Sequence, residues 1–502
     1  MNLNQIIEEI LRSSQLTYLV LVFFAVSLFL YLLFLTSFSI LGLWLSEAGL
    51  WLAWIPLTLI AIGFPFTIKM HFLTQINPIN PFFMSIGIVA NIITFMGLMI
   101  PFLQISMTNE KLKKAMEKDL GDDYLEIIEK NLIVRFTQEV KFKLIRYFLG
   151  AKARFIRKTL NIYKEIPYKR IGDMDLKLNA YAPRRVGSFP IIIFIHGGAW
   201  MLGSKDRGRD ENVCKMLANH GYVVFNIDYR LFPRKANTIA EMLSDVRAAI
   251  KFVKQIGPGF GGDPKTVFLF GRSAGAHLSL LSAFTQQGPF FKEELGQYKQ
   301  EDLEVSGVIA FYPPTNLEAL YNFYKILAPK IAMAKIIGGK PEDKKELYQL
   351  FSPVSYLTEQ NAKFIPPVFI ATGLKDKLVA PTQSKELYEK LQRLNITTVL
   401  LEFPNANHGF DTIQAGPNSQ LAYKYLLQFL AWVLSKEKES KQLENAETYQ
   451  QTRIVLTRSE RHPTTRKPFF VSTEEDEAKT NRLFTEESMK YRAEKRVEIS
   501  ER

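Results

Sequence analysis

Cysteine is scarce throughout this 502-residue chain, and charge is scarce over one long stretch of it. The single cysteine, Cys214, excludes an intramolecular disulfide framework and any metal site built from several cysteines. Between residues 13 and 109 only Glu47 and Lys69 carry a formal charge. A region with so few charges has little to present to water. The composition therefore excludes a wholly soluble protein, a fully disordered chain and a collagen-like fibre.

Three apolar stretches in this N-terminal region are long enough to cross a bilayer as helices, each of which needs roughly 20 apolar residues. They cover residues 17–45, 49–68 and 82–107. A cleaved signal peptide is a poor match, because its apolar core is only about 7–15 residues long. We therefore predict a membrane region over residues 1–108 with three transmembrane helices. The alternative is a buried helical bundle in a soluble protein.

The chain carries 63 basic and 50 acidic residues, which gives a formal net charge of +13. Such a surplus suits nucleic acid or an anionic membrane, and the apolar N-terminal region favours the membrane. We expect an integral, multi-pass membrane protein with no nucleic acid as a partner. The positive-inside rule places the C-terminal part on the cytoplasmic side, because basic residues follow the third stretch closely. They are Lys111, Lys113, Lys114 and Lys118.

Two charged segments flank the region that carries the chemistry. Residues 109–162 form a basic connector, in which Phe136, Val140 and Leu144 recur at helical spacing. That amphipathic helix lies either on anionic headgroups or against the next domain, and the spacing does not separate the two. Residues 437–502 are rich in charged and hydroxyl side chains and poor in aliphatic ones. We expect them to form a mostly disordered tail.

Short apolar runs alternate with amphipathic stretches between residues 163 and 436. The runs predict strands at 190–195, 222–227, 266–270, 306–311, 367–371 and 397–403. Continuous apolar strands separated by helices predict a mainly parallel sheet with helices on both faces, which is an α/β fold. Residues 313–365 are long for a connection and rich in large apolar side chains. They predict either a cap that lines a substrate pocket or a helix packed on the sheet edge.

A serine flanked by glycines follows the predicted strand 266–270. The motif Gly-Arg-Ser-Ala-Gly, centred on Ser273, leads from that strand into a predicted helix. Glycine on both sides relieves the crowding of a sharp strand-to-helix turn, and such a turn exposes the serine at the carboxyl end of the sheet. Ser273 is therefore the candidate nucleophile.

Two successive glycines, Gly197 and Gly198, follow the predicted strand 190–195. Backbone N–H groups at such a turn can point into a site and stabilise the negative charge of a tetrahedral intermediate. One such donor is worth about 10²–10³ in rate. Together with the N–H of Ala274, which follows the candidate nucleophile, they form the predicted oxyanion hole. A plain tight turn is the alternative explanation of the two glycines.

A serine hydroxyl needs a neighbouring base to act as a nucleophile near neutral pH. Of the six histidines, His408 follows the last strong strand and precedes the last helix, so it is the candidate base. Asp376, after the strand 367–371, is placed to orient its ring, and Asp411 is the nearest rival. The chain order Ser273, Asp376, His408 is the order expected of α/β hydrolases. The pattern implies no metal and no organic cofactor.

These segments together resemble the α/β-hydrolase esterase and lipase family. Within it they are similar to the hormone-sensitive-lipase-like and isoprenylcysteine-methylesterase-like carboxylesterases, over roughly residues 165–435. The matching motifs are His196-Gly-Gly-Ala-Trp200, Asp228-Tyr-Arg-Leu-Phe-Pro233, Gly261-Gly-Asp-Pro264, Gly271-Arg-Ser-Ala-Gly-Ala-His277, Gly373-Leu-Lys-Asp376 and Asn407-His408-Gly409. The resemblance implies ester hydrolysis through a Ser-His-Asp triad and an acyl-enzyme.

The sequence departs from this family at two points. Many relatives of hormone-sensitive lipase have an acidic residue before the nucleophile, where this chain has Arg272. Arg272 either steers an anionic group of the substrate or pairs with a nearby carboxylate. The membrane region is not part of the usual soluble esterase.

We expect a membrane-anchored serine carboxylesterase or lipase that acts on a hydrophobic or lipid-like ester. One alternative is an amidase, peptidase or acyltransferase that uses the same triad. Another is a non-catalytic binding module tethered to the membrane.

Overall fold

One eight-stranded sheet organises the part of the chain that the structure describes. The computed structural model describes residues 19–20, 22–27, 52–61, 79–128, 160–233, 238–286 and 300–459. The strands are β1 Leu160–Ile171, β2 Met174–Pro183, β3 Phe189–Ile195, β4 Val223–Ile227, β5 Gly262–Arg272, β6 Gly307–Phe311, β7 Val368–Gly373 and β8 Thr398–Phe403. Their order in the sheet is β1-β2-β4-β3-β5-β6-β7-β8. From β4 to β8 all neighbours are parallel, which confirms the prediction of a mainly parallel sheet.

The parallel strands are apolar because they are covered on both sides. All seven residues of β3 are buried, in the sequence Phe-Pro-Ile-Ile-Ile-Phe-Ile. The six predicted strands correspond to β3 through β8. The antiparallel hairpin β1–β2 was not among them. β1 carries exposed charges at Lys164 and Glu165, so its pattern lacks a continuous apolar run.

Helices cover both faces of this sheet. They are α1 Ile79–Leu103, α2 Ile105–Leu120, α3 Tyr124–Ile127, α4 Gly208–Asn219, α5 Ile239–Ile256, α6 Ala274–Phe284, α7 Gln300–Leu303, α8 Leu317–Phe323, α9 Leu327–Ile337, α10 Lys345–Leu350, α11 Glu359–Ala362, α12 Pro381–Arg393 and α13 Pro417–Ser459. One apolar cluster joins α5, α6 and α12 to the sheet. The other cluster joins α2, α4 and α13 to the opposite face. This three-layer arrangement is the predicted α/β fold.

The N-terminal region is described only in part. The predicted spans 17–45 and 49–68 lie largely outside the described residues, although 22–27 and most of 52–61 are helical. The third predicted span, 82–107, falls on α1 and the start of α2. Among the described residues, one helical stretch, Ser85–Leu120, is long and apolar enough to cross a membrane; an 18-residue window within it has a mean hydropathy of 2.2.

Segment 22–27 packs against α1. The rings of Phe24 and Phe83 lie 5.2 Å apart, centroid to centroid. The side-chain amide of Asn91 donates a hydrogen bond of 2.6 Å to the hydroxyl of Ser27. A buried polar pair of this kind satisfies groups that an apolar environment would otherwise leave without partners.

Helix α2 continues from α1 after Gln104 and packs beside the edge strand β8. Its residues Leu112, Met116 and Leu120 are buried in the cluster that also contains α13. The described end of the predicted connector 109–162 therefore packs on the sheet domain. The amphipathic segment 136–148 lies outside the described residues.

The C-terminal helix is longer than the sequence predicted. α13 continues to Ser459, so residues 437–459, which the sequence assigned to a disordered tail, are described as helix. Glu, Lys, Gln and Ala dominate this stretch and are good helix formers. A helix that is already packed needs no new nucleation to extend. Residues 460–502 lie outside the described part of the chain.

Candidate active site

The turn between β5 and α6 places Ser273 in a backbone conformation that residues other than glycine rarely adopt. Its φ is +52° and its ψ is −120°. A Cβ at Gly271 would lie 2.3 Å from the Gly275 carbonyl oxygen, and a Cβ at Gly275 would lie 2.1 Å from the Ile195 carbonyl oxygen. Only glycine fits at these two positions, which explains the motif. The strain holds the serine out at the end of the strand.

Three side chains meet at this turn. The Nε2 atom of His408 lies 2.9 Å from the Oγ atom of Ser273, and its Nδ1 atom lies 2.7 Å from Oδ2 of Asp376. The other oxygen of Asp376 accepts the backbone N–H groups of Leu378 and Val379, at 2.8 and 2.9 Å. The carboxylate is thus fixed by its own turn and in turn fixes the imidazole. With Nδ1–H donating to Asp376, Nε2 is free to accept the serine proton.

The sheet explains why residues so far apart in sequence come together. Ser273 follows β5, Asp376 follows β7 and His408 follows β8. The carboxyl ends of parallel strands lie along one edge of a sheet, and ligands of open α/β sheets bind at that edge. The structure brings the predicted nucleophile, base and orienting carboxylate into one hydrogen-bonded series.

The glycine turn after β3 runs directly against the serine. A Cβ at Gly197 would lie 2.7 Å from the carbonyl oxygen of Arg272 and 3.3 Å from Cβ of Ser273. Within the described residues, neither Gly197 nor Gly198 donates its N–H to another group. Ala274 opens α6, where N–H groups lack an intrahelical acceptor. Gly197 therefore lies directly against the serine turn, and the oxyanion hole formed by Gly197, Gly198 and Ala274 stays a prediction.

A buried histidine braces this turn. The indole N–H of Trp200 donates to Nδ1 of His277 at 3.2 Å, so Nε2 carries the ring proton and donates to the Phe351 carbonyl at 2.7 Å. Burial lowers the pKa of His277 to about 4, which keeps the ring neutral. His277 thus connects the oxyanion turn to the segment after α10.

Arg272 pairs with buried carboxylates rather than facing the site. Its guanidinium contacts Asp210 of α4 and Asp411 of the turn after His408, and it donates to the Tyr423 hydroxyl at 2.6 Å. Burial alone would lower the pKa of Arg272, but Asp411, Tyr423 and Asp210 raise it well above its ordinary value. Of the two roles expected from the sequence, the structure favours pairing.

Asp411 belongs to this buried network and not to the imidazole of His408. It accepts hydrogen bonds from the hydroxyls of Tyr312 and Tyr423, at 2.6 and 2.7 Å. The Tyr312 ring also packs on the His408 ring, with centroids 4.4 Å apart. Sequence reasoning missed Tyr312. Its position directly after β6, at the same sheet edge, was the available signal.

Within the described ranges, no group of three or more His, Cys, Asp or Glu side chains could bind a metal ion. Cys214 is a free, buried thiol on α4. Burial raises its pKa well above the ordinary value, so it is not a reactive nucleophile.

Comparison with known proteins decides the family. A versiconal hemiacetal acetate esterase from Dothistroma septosporum is 30% identical over 281 residues, which cover 53% of this chain and 81% of that protein. The chain belongs to the α/β-hydrolase carboxylesterase family. The family model BD-FAE also matches residues 174–391, a range that runs from β2 to α12 and includes Ser273 and Asp376.

Other members of this carboxylesterase family are longer than the matched region. LipM of Mycobacterium tuberculosis, named a probable carboxylic ester hydrolase, is 29% identical over 252 residues, 50% of this chain and 56% of LipM. The probable isoprenylcysteine alpha-carbonyl methylesterase ICMEL2 of Arabidopsis thaliana is 30% identical over 239 residues, 46% of this chain and 54% of ICMEL2. The chain thus spans little more than half the length of these two relatives.

Proposed function

We propose that this chain is a membrane-anchored serine carboxylesterase that hydrolyses a hydrophobic, lipid-like ester. One observation carries the proposal: a continuous hydrogen-bonded series from Ser273 through His408 to Asp376, with separations of 2.9 and 2.7 Å. The series ends on a serine held in a strained turn, in a chain that belongs to an esterase family.

Acylation begins when Ser273 Oγ attacks the ester carbonyl carbon. His408 Nε2 removes the hydroxyl proton, and Asp376 stabilises the imidazolium that forms. The carbonyl oxygen becomes negatively charged and accepts hydrogen bonds from the N–H groups of Gly197, Gly198 and Ala274. Collapse of this tetrahedral intermediate breaks the bond to the alcohol, and His408 gives its proton to the leaving alkoxide.

Deacylation repeats these steps with water. His408 Nε2 takes a proton from water as the oxygen attacks the acyl-enzyme carbonyl. The same three N–H groups stabilise the second oxyanion. The acid then leaves, and the proton on His408 returns to Ser273 Oγ. The cycle consumes one ester and one water and restores the enzyme without any cofactor.

The proposed location and substrate follow from the apolar region. Helix α1 supports insertion into a bilayer, where apolar esters concentrate. The lysines that follow it favour a cytoplasmic catalytic domain. The relative ICMEL2 is named for the methyl ester of an isoprenylcysteine, which is an apolar substrate.

Substitution of the nucleophile tests the proposal. We expect Ser273→Ala, in the full-length protein in detergent, to lose p-nitrophenyl butyrate hydrolysis by at least about 10⁴-fold and to lose labelling by a fluorophosphonate probe. Ser355→Ala, at an exposed serine outside the triad, is the matched control and should keep both. A Ser273→Ala protein that still labels like the wild type would show that Ser273 is not the nucleophile and would contradict the triad. A matched anilide, turned over as fast as the ester, would favour an amidase instead.

A further inference from the structure

The exposed apolar side chains of the sheet domain fall in a few segments. From Leu160 onward, the large hydrophobic side chains that are exposed among the described residues, Val186 excepted, lie in the turn after β3, in residues 323–331 of α8 and α9, and in the turn after β7 that carries Asp376. Leu202 lies in the oxyanion turn. The others form what we call the apolar rim: Phe323, Ile326, Leu327, Ile331, Leu374 and Leu378. Such clustering marks an interaction surface, whereas isolated exposed hydrophobic residues are ordinary.

Hydrogen bonds join α12, which follows the Asp376 turn, to the residues that precede α8. Leu374 and Leu378 flank Asp376 in the turn that leads to α12. The side chain of Gln383 in α12 accepts the backbone N–H groups of Thr315 and Asn316, both at 2.8 Å. Those two residues precede α8, so the base of the α8–α9 segment is fixed beside the Asp376 turn. The two segments that carry the rim therefore start from neighbouring points beside the Asp376 turn.

Lysines are interleaved with the apolar rim, and acids are almost absent. Residues 319–341 contain no acidic residue, and residues 373–385 contain only Asp376, which is buried against His408. An apolar surface bordered by cations complements an anionic lipid surface better than it complements water or a neutral protein. The lysines of these two stretches are Lys325, Lys330, Lys335, Lys340, Lys375, Lys377 and Lys385.

Helix α1 leaves the sheet domain at the same edge. Gln104, the residue after α1, accepts a hydrogen bond from Asn405, which lies in the loop that carries His408. At the other end of α2, Asp119 accepts the N–H of Leu400 in β8 at 3.3 Å. α2 therefore runs antiparallel to β8, and α1 extends beyond the carboxyl end of the sheet, where the triad and the rim lie.

We propose that the apolar rim docks on the anionic bilayer surface that α1 enters, so that the ester reaches Ser273 directly from the lipid. This proposal rests on the proposed function, because it assigns the side from which that site takes its substrate. Hydrophobic contact supplies the binding to acyl chains, and the lysines supply attraction to anionic headgroups.

Depth measurement tests the docking. The full-length protein is placed in nanodiscs of phosphatidylcholine and phosphatidylserine, with a nitroxide on Ile326→Cys; Cys214 is buried and does not compete. Val186→Cys, between β2 and β3 at the opposite edge of the sheet, is the matched control. We expect the label at 326 to be shielded from an aqueous nickel chelate and reached by oxygen, and the label at 186 to behave oppositely. Equal aqueous access at both sites overturns the proposal, as does spin–spin broadening at 326, which would indicate a second copy on the rim.

Kinetics test its consequence. In the same nanodiscs we expect the double variant Ile326→Ser, Leu327→Ser to lose about tenfold or more in kcat/KM for a bilayer-partitioned ester, and to stay within about twofold for a short soluble ester. Equal losses, or no loss with either ester, would contradict docking. The proposed function fails separately, when the wild type hydrolyses neither ester.

The lysines are tested by lipid composition. We expect Lys325→Gln, Lys375→Gln to remove the advantage of phosphatidylserine over pure phosphatidylcholine for the bilayer-partitioned ester. Retention of the full advantage would contradict the assignment to an anionic surface.

Discussion

At the scale of single residues, His277 couples protonation to folding. Burial holds its pKa at about 4 in the folded protein, while an unfolded histidine has a pKa of about 6.5. Between these two values the unfolded chain binds more protons than the folded one. The contribution of His277 to the free energy of unfolding is therefore fully present above about pH 6.5. It is lost as the pH drops toward 4, and the loss across this range is about 3 kcal/mol.

Denaturation at two pH values measures this coupling. From pH 7 to pH 5 we expect the free energy of unfolding of the wild type to fall by about 2 kcal/mol more than that of His277→Gln. Glutamine keeps an N–H that can reach the Phe351 carbonyl but cannot take the proton. His196, whose pKa burial also lowers, contributes a pH dependence that is common to both proteins. Equal losses in the two proteins would show that His277 is not a source of the acid sensitivity.

At the scale of elements, Arg272 connects three segments that lie far apart in the sequence. It connects the serine turn to α4 through Asp210 and to the His408 loop through Asp411. Removing one partner of a buried ion pair leaves an uncompensated charge. We expect Arg272→Met to lower the free energy of unfolding by about 3–5 kcal/mol. The triple variant Arg272→Met, Asp210→Asn, Asp411→Asn should recover part of that loss in urea titrations, and an Arg272→Met protein as stable as the wild type would refute the account.

The same network shows what sequence patterns can and cannot predict. Local patterns, each an apolar run followed by a distinctive turn, predicted the strands β3 to β8. The same patterns predicted the site residues Ser273, Asp376 and His408. Parallel order then brings the ends of those strands to one edge. The partners of Arg272 lie far away in the sequence and are brought to it by tertiary packing. Local sequence patterns do not predict such partners. For α2, periodicity identifies a buried face at Leu112 and Met116, but it does not say what covers that face.

At the scale of the whole molecule, α2 holds the sheet domain to the apolar helix before it. Two methionines on α2 separate this role from helix stability: Met116 is fully buried and Met107 is 60% exposed. We expect Met116→Ala to lower the free energy of unfolding by about 2–5 kcal/mol, because it opens a cavity, and Met107→Ala to change it by under about 0.5 kcal/mol in detergent.

Loosening α2 should also change how the enzyme takes its substrate. If α2 sets the direction in which the apolar rim faces the bilayer, Met116→Ala should cut the hydrolysis of a bilayer-partitioned ester more than that of a soluble one, as rim variants do. Limited proteolysis by trypsin at Lys118 reports the loosening directly, because cleavage of an exposed lysine in a helix requires that helix to unfold locally. A Met116→Ala protein that is cleaved faster, yet keeps the wild-type ratio of the two rates, would show that the rim finds the bilayer without help from α2.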